Sequence, residues 1–318
     1  MYIGDSMANI TSINKGENNS SNNGKNRLNV NQLAEYGVNL MTTEVMNLTS
    51  NDDAEKIKKN YSKFSSIAEI TTYVGENTDY TPQGVCTVNG AKFITEYKDD
   101  KKPKLIYIDR QGNRKVLDLD LPEDTHAGGI AYMNGKLYIS SKDDKVAVFD
   151  YNQVITSSEG KKLEPSYILD LNIPKASYLT TYNGKLYVGT FDKKKNGVLK
   201  EYADVNGELS ELNSFAVPPK IQGVTFAETK SGETKMFLSQ SFNRNKDSKI
   251  LIYDYDPGAF IYSENKAETI TAPPMLEQIS FNPDGKMDCL FESCAEKYND
   301  GKYQIDSLYT LDMSAYLK

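Results

Sequence analysis

Gly129-Ile-Ala-Tyr-Met-Asn-Gly-Lys-Leu-Tyr-Ile-Ser140 reads as a strand, an Asn-Gly turn and a second strand. Asn-Gly between two β-favouring runs is the strongest short-range hairpin signal, because both residues tolerate the positive φ of a tight turn. The register recurs at Gly84-Val-Cys-Thr-Val-Asn-Gly-Ala-Lys-Phe-Ile-Thr95 and at Tyr178-Leu-Thr-Thr-Tyr-Asn-Gly-Lys-Leu-Tyr-Val-Gly189. The turn glycines Gly90, Gly135 and Gly184 stand 45 and 49 residues apart. Two looser copies follow. One runs from Gly223-Val-Thr-Phe226 through Ser231-Gly232 to Met236-Phe-Leu-Ser239, the other from Gln278-Ile-Ser-Phe281 through Asn282-Pro-Asp-Gly285 to Cys289-Leu-Phe-Glu292.

Each hairpin is followed by a third strand: Leu105–Asp109, Val146–Asp150, Val198–Tyr202, Ile250–Asp254 and Ser307–Asp312. A fourth follows in four copies, at Val116–Leu119, Tyr167–Leu171, Leu212–Phe215 and Glu268–Thr271. Pro122, Pro174, Pro218 and Pro273 close those strands, where a missing N–H does least harm. Four strands per repeat of roughly 45–50 residues are the signature of propeller blades. The fold is therefore predicted to be all-β, a five-bladed β-propeller with a short, partly helical N-terminal extension. The fifth copy lacks its fourth strand, which would leave an open edge. Ala68-Glu-Ile-Thr-Thr-Tyr-Val74 has the β-rich composition to fill the gap, so the propeller spans 67–318 with its closing strand within 67–77. Residues 1–27 are almost wholly polar and Asn-rich, a composition that predicts a disordered tail. Residues 28–66 are predicted to be helical. Leu33, Tyr36, Leu40 and Met41 recur at helical spacing, and a second helix runs from Asp52 through Ile57, Tyr61 and Phe64.

The 318 residues carry 37 basic and 44 acidic side chains, a net charge of −7. The basic face needed to hold phosphates is missing, so no nucleic-acid partner is expected. No stretch approaches the roughly 20 apolar residues that span a bilayer, and the first 30 residues lack the apolar segment of a signal peptide. Three cysteines make no disulfide framework, no cofactor motif is present, and a monomer is expected. His126 is the only histidine, which removes multi-histidine metal sites; no metal is expected. Gly4-Asp5-Ser6 is similar to the nucleophile block of one esterase family, but no strand precedes it and no Asp-x-x-His accompanies it, so it is set aside. Asn-x-Ser/Thr matches such as Asn9-Ile-Thr, Asn18-Asn-Ser and Asn47-Leu-Thr are expected by chance in an Asn-rich chain.

Blades pack around a central channel, so the starts of the innermost strands are neighbours in space. Those starts offer Gln83, His126, Ser177 or Tyr178, Gln222, and Glu277 with Gln278. A recurrent polar type at one structural position points to a ligand site at the channel mouth, where a few convergent polar groups meet in a concavity. Glu96, Glu292 and Arg244 are second candidates. The carboxylates Glu96, Glu277 and Glu292 keep a hydrolase alternative open, of glycosidase type with two carboxyls about 5–10 Å apart, or of lactonase type.

The blade starts Pro82-Gln-Gly-Val85, His126-Ala-Gly-Gly-Ile130, Gln222-Gly-Val224 and Pro273-Pro-Met-Leu-Glu277, together with Leu290-Phe-Glu-Ser-Cys-Ala-Glu-Lys-Tyr298, resemble those of uncharacterised, mostly exported bacterial propellers of the YVTN/gluconolactonase-like superfamily. The resemblance covers about residues 80–318 and implies a propeller outside the cytoplasm, extracellular or at the cell surface. It brings no established activity. Absence of Trp separates the chain from WD-type propellers. The functional expectation is a binding propeller for a small-molecule, glycan or protein ligand.

Overall fold

The computed structural model describes residues 51–76, 78–205 and 208–318. The expected tail 1–27 and the first expected helix lie outside the described residues. The rest forms a five-bladed β-propeller.

Blade 1 comprises β2 (Thr81–Val88), β3 (Ala91–Tyr97), β4 (Lys104–Ile108) and β5 (Arg114–Leu119), with β9 (Lys162–Leu163) added in parallel at its rim. Blade 2 comprises β6 (Ile130–Met133), β7 (Lys136–Ser140), β8 (Lys145–Asp150) and β10 (Tyr167–Asp170). Blade 3 is β11 (Tyr178–Tyr182), β12 (Lys185–Gly189), β13 (Gly197–Val205) and β14 (Glu208–Val217). Blade 4 is β15 (Ile221–Glu228), β16 (Thr234–Gln240), β17 (Ser248–Asp254) and β18 (Glu268–Ala272). Blade 5 is β19 (Leu276–Phe281), β20 (Met287–Phe291), β21 (Ser307–Leu311) and, from the front of the chain, β1 (Ala68–Tyr73). The Asn-Gly turns take the left-handed conformation both residues need, with φ of 51° and 81° at Asn89 and Gly90.

The outermost strand of blade 5 is thus the first strand of the propeller. β1 runs antiparallel to β21, with Ala68 opposite Leu311 and Ile70 opposite Tyr309. This pairing covers an edge that would otherwise present unpaired N–H and C=O groups. A second latch joins blades 5 and 1. The buried Asp288 carboxylate on β20 accepts hydrogen bonds from Thr87 Oγ1 at 2.6 Å and Thr310 Oγ1 at 2.7 Å, and pairs with Lys92 of β3. A buried charge is tolerable here because its lone pairs are satisfied.

The core is a set of slabs between consecutive blades. Phe93, Leu105, Leu137 and Phe149 pack between blades 1 and 2, Leu179, Val188, Tyr138 and Val148 between 2 and 3. Phe215, Phe226, Leu238 and Tyr262 fill the next slab, and Ile94, Ile106, Leu290 and Leu308 the one between blades 5 and 1. The helices α1 (Asn51–Asn60) and α2 (Ser62–Ser65) continue the slab between blades 4 and 5 outward: Ile57, Tyr61 and Phe64 are buried there, with the Phe64 ring 5.4 Å from that of Tyr309. A third helix, α3 (Tyr151–Thr156), begins where Asp150 accepts the Gln153 N–H and caps the turn.

The inner strands β2, β6, β11, β15 and β19 contact one another in a closed ring. Gln278, fully buried on β19, lies across its axis. Its Oε1 accepts the N–H of Val85 (3.0 Å) and of Ile130 (2.9 Å); its Nε2 donates to the carbonyls of Ile130 (2.9 Å) and Leu179 (3.1 Å). One side chain therefore ties blade 5 to blades 1, 2 and 3. On the remaining side Gly223 of blade 4 lies so close that a Cβ there would sit 2.9 Å from Gln278 Cα. At Gly84 a Cβ would meet the Gln278 amide oxygen at 3.0 Å.

Gln278→Ala is expected to orphan four buried backbone groups and, at roughly 1–3 kcal/mol for each group that finds no water, to lower unfolding free energy by about 3 kcal/mol or more, read by urea denaturation. Deleting residues 68–73 is expected to lower stability and cause concentration-dependent association through the bared β21 edge, read by light scattering; a monomeric deletion variant with wild-type stability would contradict this.

Candidate functional site

Three of the five blades begin with a β-bulge. The register of β2 against β3 slips between Pro82 and Gly84, that of β15 against β16 between Ile221 and Gly223, and that of β19 against β20 between Leu276 and Ile279. The residues left out of the ladders are Gln83, Gln222, and Glu277 with Gln278. A bulge re-aims its extra side chain, and here it turns Gln83, Gln222 and Glu277 into the mouth while Gln278 crosses the axis. Residues in the left-handed region set up two of the turns, Lys220 (φ 68°) and Met275 (φ 69°).

The mouth is a cavity of about 720 Å³. Gln83, His126, Gln222, Arg244, Glu277 and Glu292 all line it. Six candidates drawn from four blades are thus brought together. Glu277, 3 % exposed, and Glu292 at the end of β20 face each other and share a hydrogen bond. Gln222 Nε2 donates to Glu277 Oε1 (3.2 Å), while Gln83 Nε2 (3.0 Å) and the Tyr298 hydroxyl (3.2 Å) donate to Glu292 Oε2. Burial, and then the charge of its neighbour Glu292, push Glu277 well above the usual carboxylate range. Burial raises Glu292 too, against the opposing pull of Lys297 and its hydrogen-bond donors. Two carboxylates in contact favour sharing one proton unless a cation stands beside them.

An aromatic wall rises beside the pair. The rings of Tyr97 and His126 stack at 4.0 Å, 15° from parallel. Lys297 donates to the Tyr97 hydroxyl at 2.7 Å and holds its ammonium 4.3 Å above the Tyr97 ring. His126 is exposed at the rim; desolvation, then the charges of Lys175 and Lys297, lower its pKa, so the imidazole is neutral at pH 7. Arg244 pairs with Asp300 and lies 5.1 Å over the Tyr298 ring, so its charge is already engaged. Opposite, small groups at Ala127, Gly128, Ala176 and Ser177 leave the open volume.

Two expected residues are elsewhere. Tyr178 is fully buried in the slab between blades 3 and 4, and its ring occupies the space where Gly189, its partner across the hairpin, lacks a side chain; a Cβ there would sit 2.0 Å from the ring. Blades 1, 2 and 4 carry Thr95, Ser140 and Ser239 at that position, so the glycine was the available signal. Glu96 does not line the mouth. Neighbouring residues on a strand point to opposite faces, so Tyr97 takes the mouth side and Glu96 turns toward the slab shared with blade 5, where burial raises its pKa to about 7. Tyr97, Tyr298 and Lys297 were missed, although Lys297 and Tyr298 end the Leu290–Tyr298 stretch singled out by resemblance. No group of three His, Cys, Asp or Glu placed to hold a metal ion occurs among the described residues, and no described helix is long and apolar enough to cross a membrane.

No protein-family model matches the chain, and no curated protein matches its sequence. Among solved structures, the glutaminyl cyclase of Myxococcus xanthus is similar, with a TM-score of 0.52 and 13 % identity over 77 % of this chain and 95 % of that one. A putative oxidoreductase (glucose dehydrogenase) of Thermus thermophilus gives a TM-score of 0.48 and 12 % identity over 77 % and 99 %. At such an identity the likeness to the first is one of fold alone.

A carboxyl whose pKa is raised on folding holds its proton above the unfolded value, so native protein binds more protons and stability falls as pH rises through that window. Glu96→Gln removes one such group. Relative to wild type, the variant is expected to gain stability between pH 4.5 and about 7, measured as the difference in urea midpoints; a pH-independent difference would contradict the assignment.

Proposed function

We propose that this protein is a binding propeller whose mouth takes a small polar ligand, free or carried on a glycan or protein. The observation that carries the proposal is the set of three bulges. Each interrupts a ladder and aims an amide or carboxyl into one cavity, the use bulges have beside active sites. Structural demand does not account for them all: Gln278 alone holds the axis, while Gln83, Gln222 and Glu277 bond mainly one another and Glu292. The blade-start resemblance adds an exported setting to this proposal.

The hydrolase alternative draws on the Glu277–Glu292 pair, a shared-proton arrangement suited to general acid–base work on an ester or lactone. The glycosidase form is disfavoured, because carboxyls in mutual contact leave no space for the sugar carbon and water between them.

Fragment soaking of crystals is expected to place ligands in the mouth. Gln222→Ala and Glu292→Gln are expected to weaken those fragments at least tenfold by NMR titration with little change in melting temperature. Fragments that settle only on other surfaces would overturn the proposal. Turnover of a lactone or ester library, lost in Glu292→Gln with binding retained, would instead establish the enzyme.

A further inference from the structure

The chemistry of the mouth narrows the class of ligand. The amides of Gln83 and Gln222 both spend their N–H groups on the carboxyl pair. The part of the cavity around the pair thereby offers acceptors, the carboxyl oxygens of Glu277 and Glu292 and the amide oxygens, while Lys142, Lys175 and Arg244 line other parts of it. The group that belongs there is a multiple donor. The adjoining wall, Tyr97 and Tyr298, presents aromatic faces that attract cations. The protein's own side chains show this: the Lys297 ammonium stands 4.3 Å from the centre of the Tyr97 ring and 5.0 Å from that of Tyr298. Lys297 is exposed and sits on a short 3₁₀ turn, Glu296–Tyr298, so its side chain is free to yield the place.

From these contacts we infer that the mouth recognises a primary ammonium group, seated on the Glu277–Glu292 pair with its carbon body against the aromatic wall and with Lys297 as the competing internal cation. An ammonium supplies three donors and a charge, matching a floor of acceptors that shares one proton. Binding displaces that proton: the ligand N⁺–H donates to the carboxylate oxygens, the shared proton leaves to buffer, and the pair becomes fully ionised beside the new cation. Lys297 from the 3₁₀ turn is the cation acting on the pair, with the neutral Tyr298 and Tyr97 hydroxyls beside it; Arg244 across the Tyr298 ring is held by Asp300, and Lys142, Lys175, Asp124 and Asp143 line other parts of the same cavity. The inference rests on the mouth being a ligand site and adds the ligand's chemistry.

Calorimetric titration of the full chain at pH 7 with 2-phenylethylamine and glucosamine, against the neutral 2-phenylethanol and glucose, tests it. An amine is expected to bind at least tenfold more tightly than its neutral counterpart, with up to one proton released, as read in two buffers of different ionisation enthalpy. Glu277→Gln and Glu292→Gln are each expected to abolish the preference and the proton release, with the melting temperature confirming that each variant is folded. Lys297→Ala is expected to raise amine affinity several-fold. Equal binding of amine and neutral probe, absence of amine binding at millimolar concentration, or weaker amine binding by Lys297→Ala would overturn the ammonium assignment. Fragments of other chemistry still found in the mouth would then leave the broader site proposal standing, whereas an empty mouth would end both.

Discussion

The amide of Gln278 sits where all five inner strands converge, and the geometry around it leaves no room for anything else. Five blades close a narrow ring, and a single side chain spans it. Because Gln carries both an acceptor and a donor on one planar group, it satisfies N–H groups from blades 1 and 2 and carbonyls from blades 2 and 3 at once. Inside a low-dielectric core such bonds are strong when all are made and costly when one is missing. Gly84 and Gly223 belong to the same device, since a side chain at either would push the axis apart.

This constraint shapes the mouth. The bulge that throws Gln278 across the axis throws its neighbour Glu277 upward, and the amide closes the channel beneath the cavity. The mouth is therefore a cup with a polar floor, not an open passage. Its carboxyl pair is desolvated, which raises both groups and favours a proton shared between them. The arrangement opposes stability above the ordinary carboxylate range. Rigid floor and exposed rim divide the labour: bulged residues are held by bonds to each other, while Lys297 and His126 stand on surface turns.

The hairpin repeat was legible because a two-residue Asn-Gly turn leaves a local mark that packing does not erase. So was the convergence of Gln83, Gln222, Glu277 and His126, since blade starts must meet at an axis. The face a strand-end side chain takes was harder to read. Glu96 and Tyr97 compete for one mouth position, and the pleat decides between them. Tyr178 occupied a blade start like the rest, yet its ring fills the slot opened by Gly189 in the core.

Sequence by itself determined the number and order of the blades, because these depend on local turn chemistry and period, and pointed to the strand that closes the last through its β-rich composition and the open edge it had to cover. Only the tertiary structure decided which polar residues are scaffold and which are free to meet a ligand. Gln278 and Gln222 are the same residue type and both are left out of their ladders at a blade-start bulge, Gln278 one position further along the repeat, where blades 1 and 4 carry Gly84 and Gly223. One is consumed by backbone groups of three other blades; the other reaches a carboxyl at the cavity floor. That difference arises from distances across the axis between residues 50 to 200 positions apart, which no local pattern encodes.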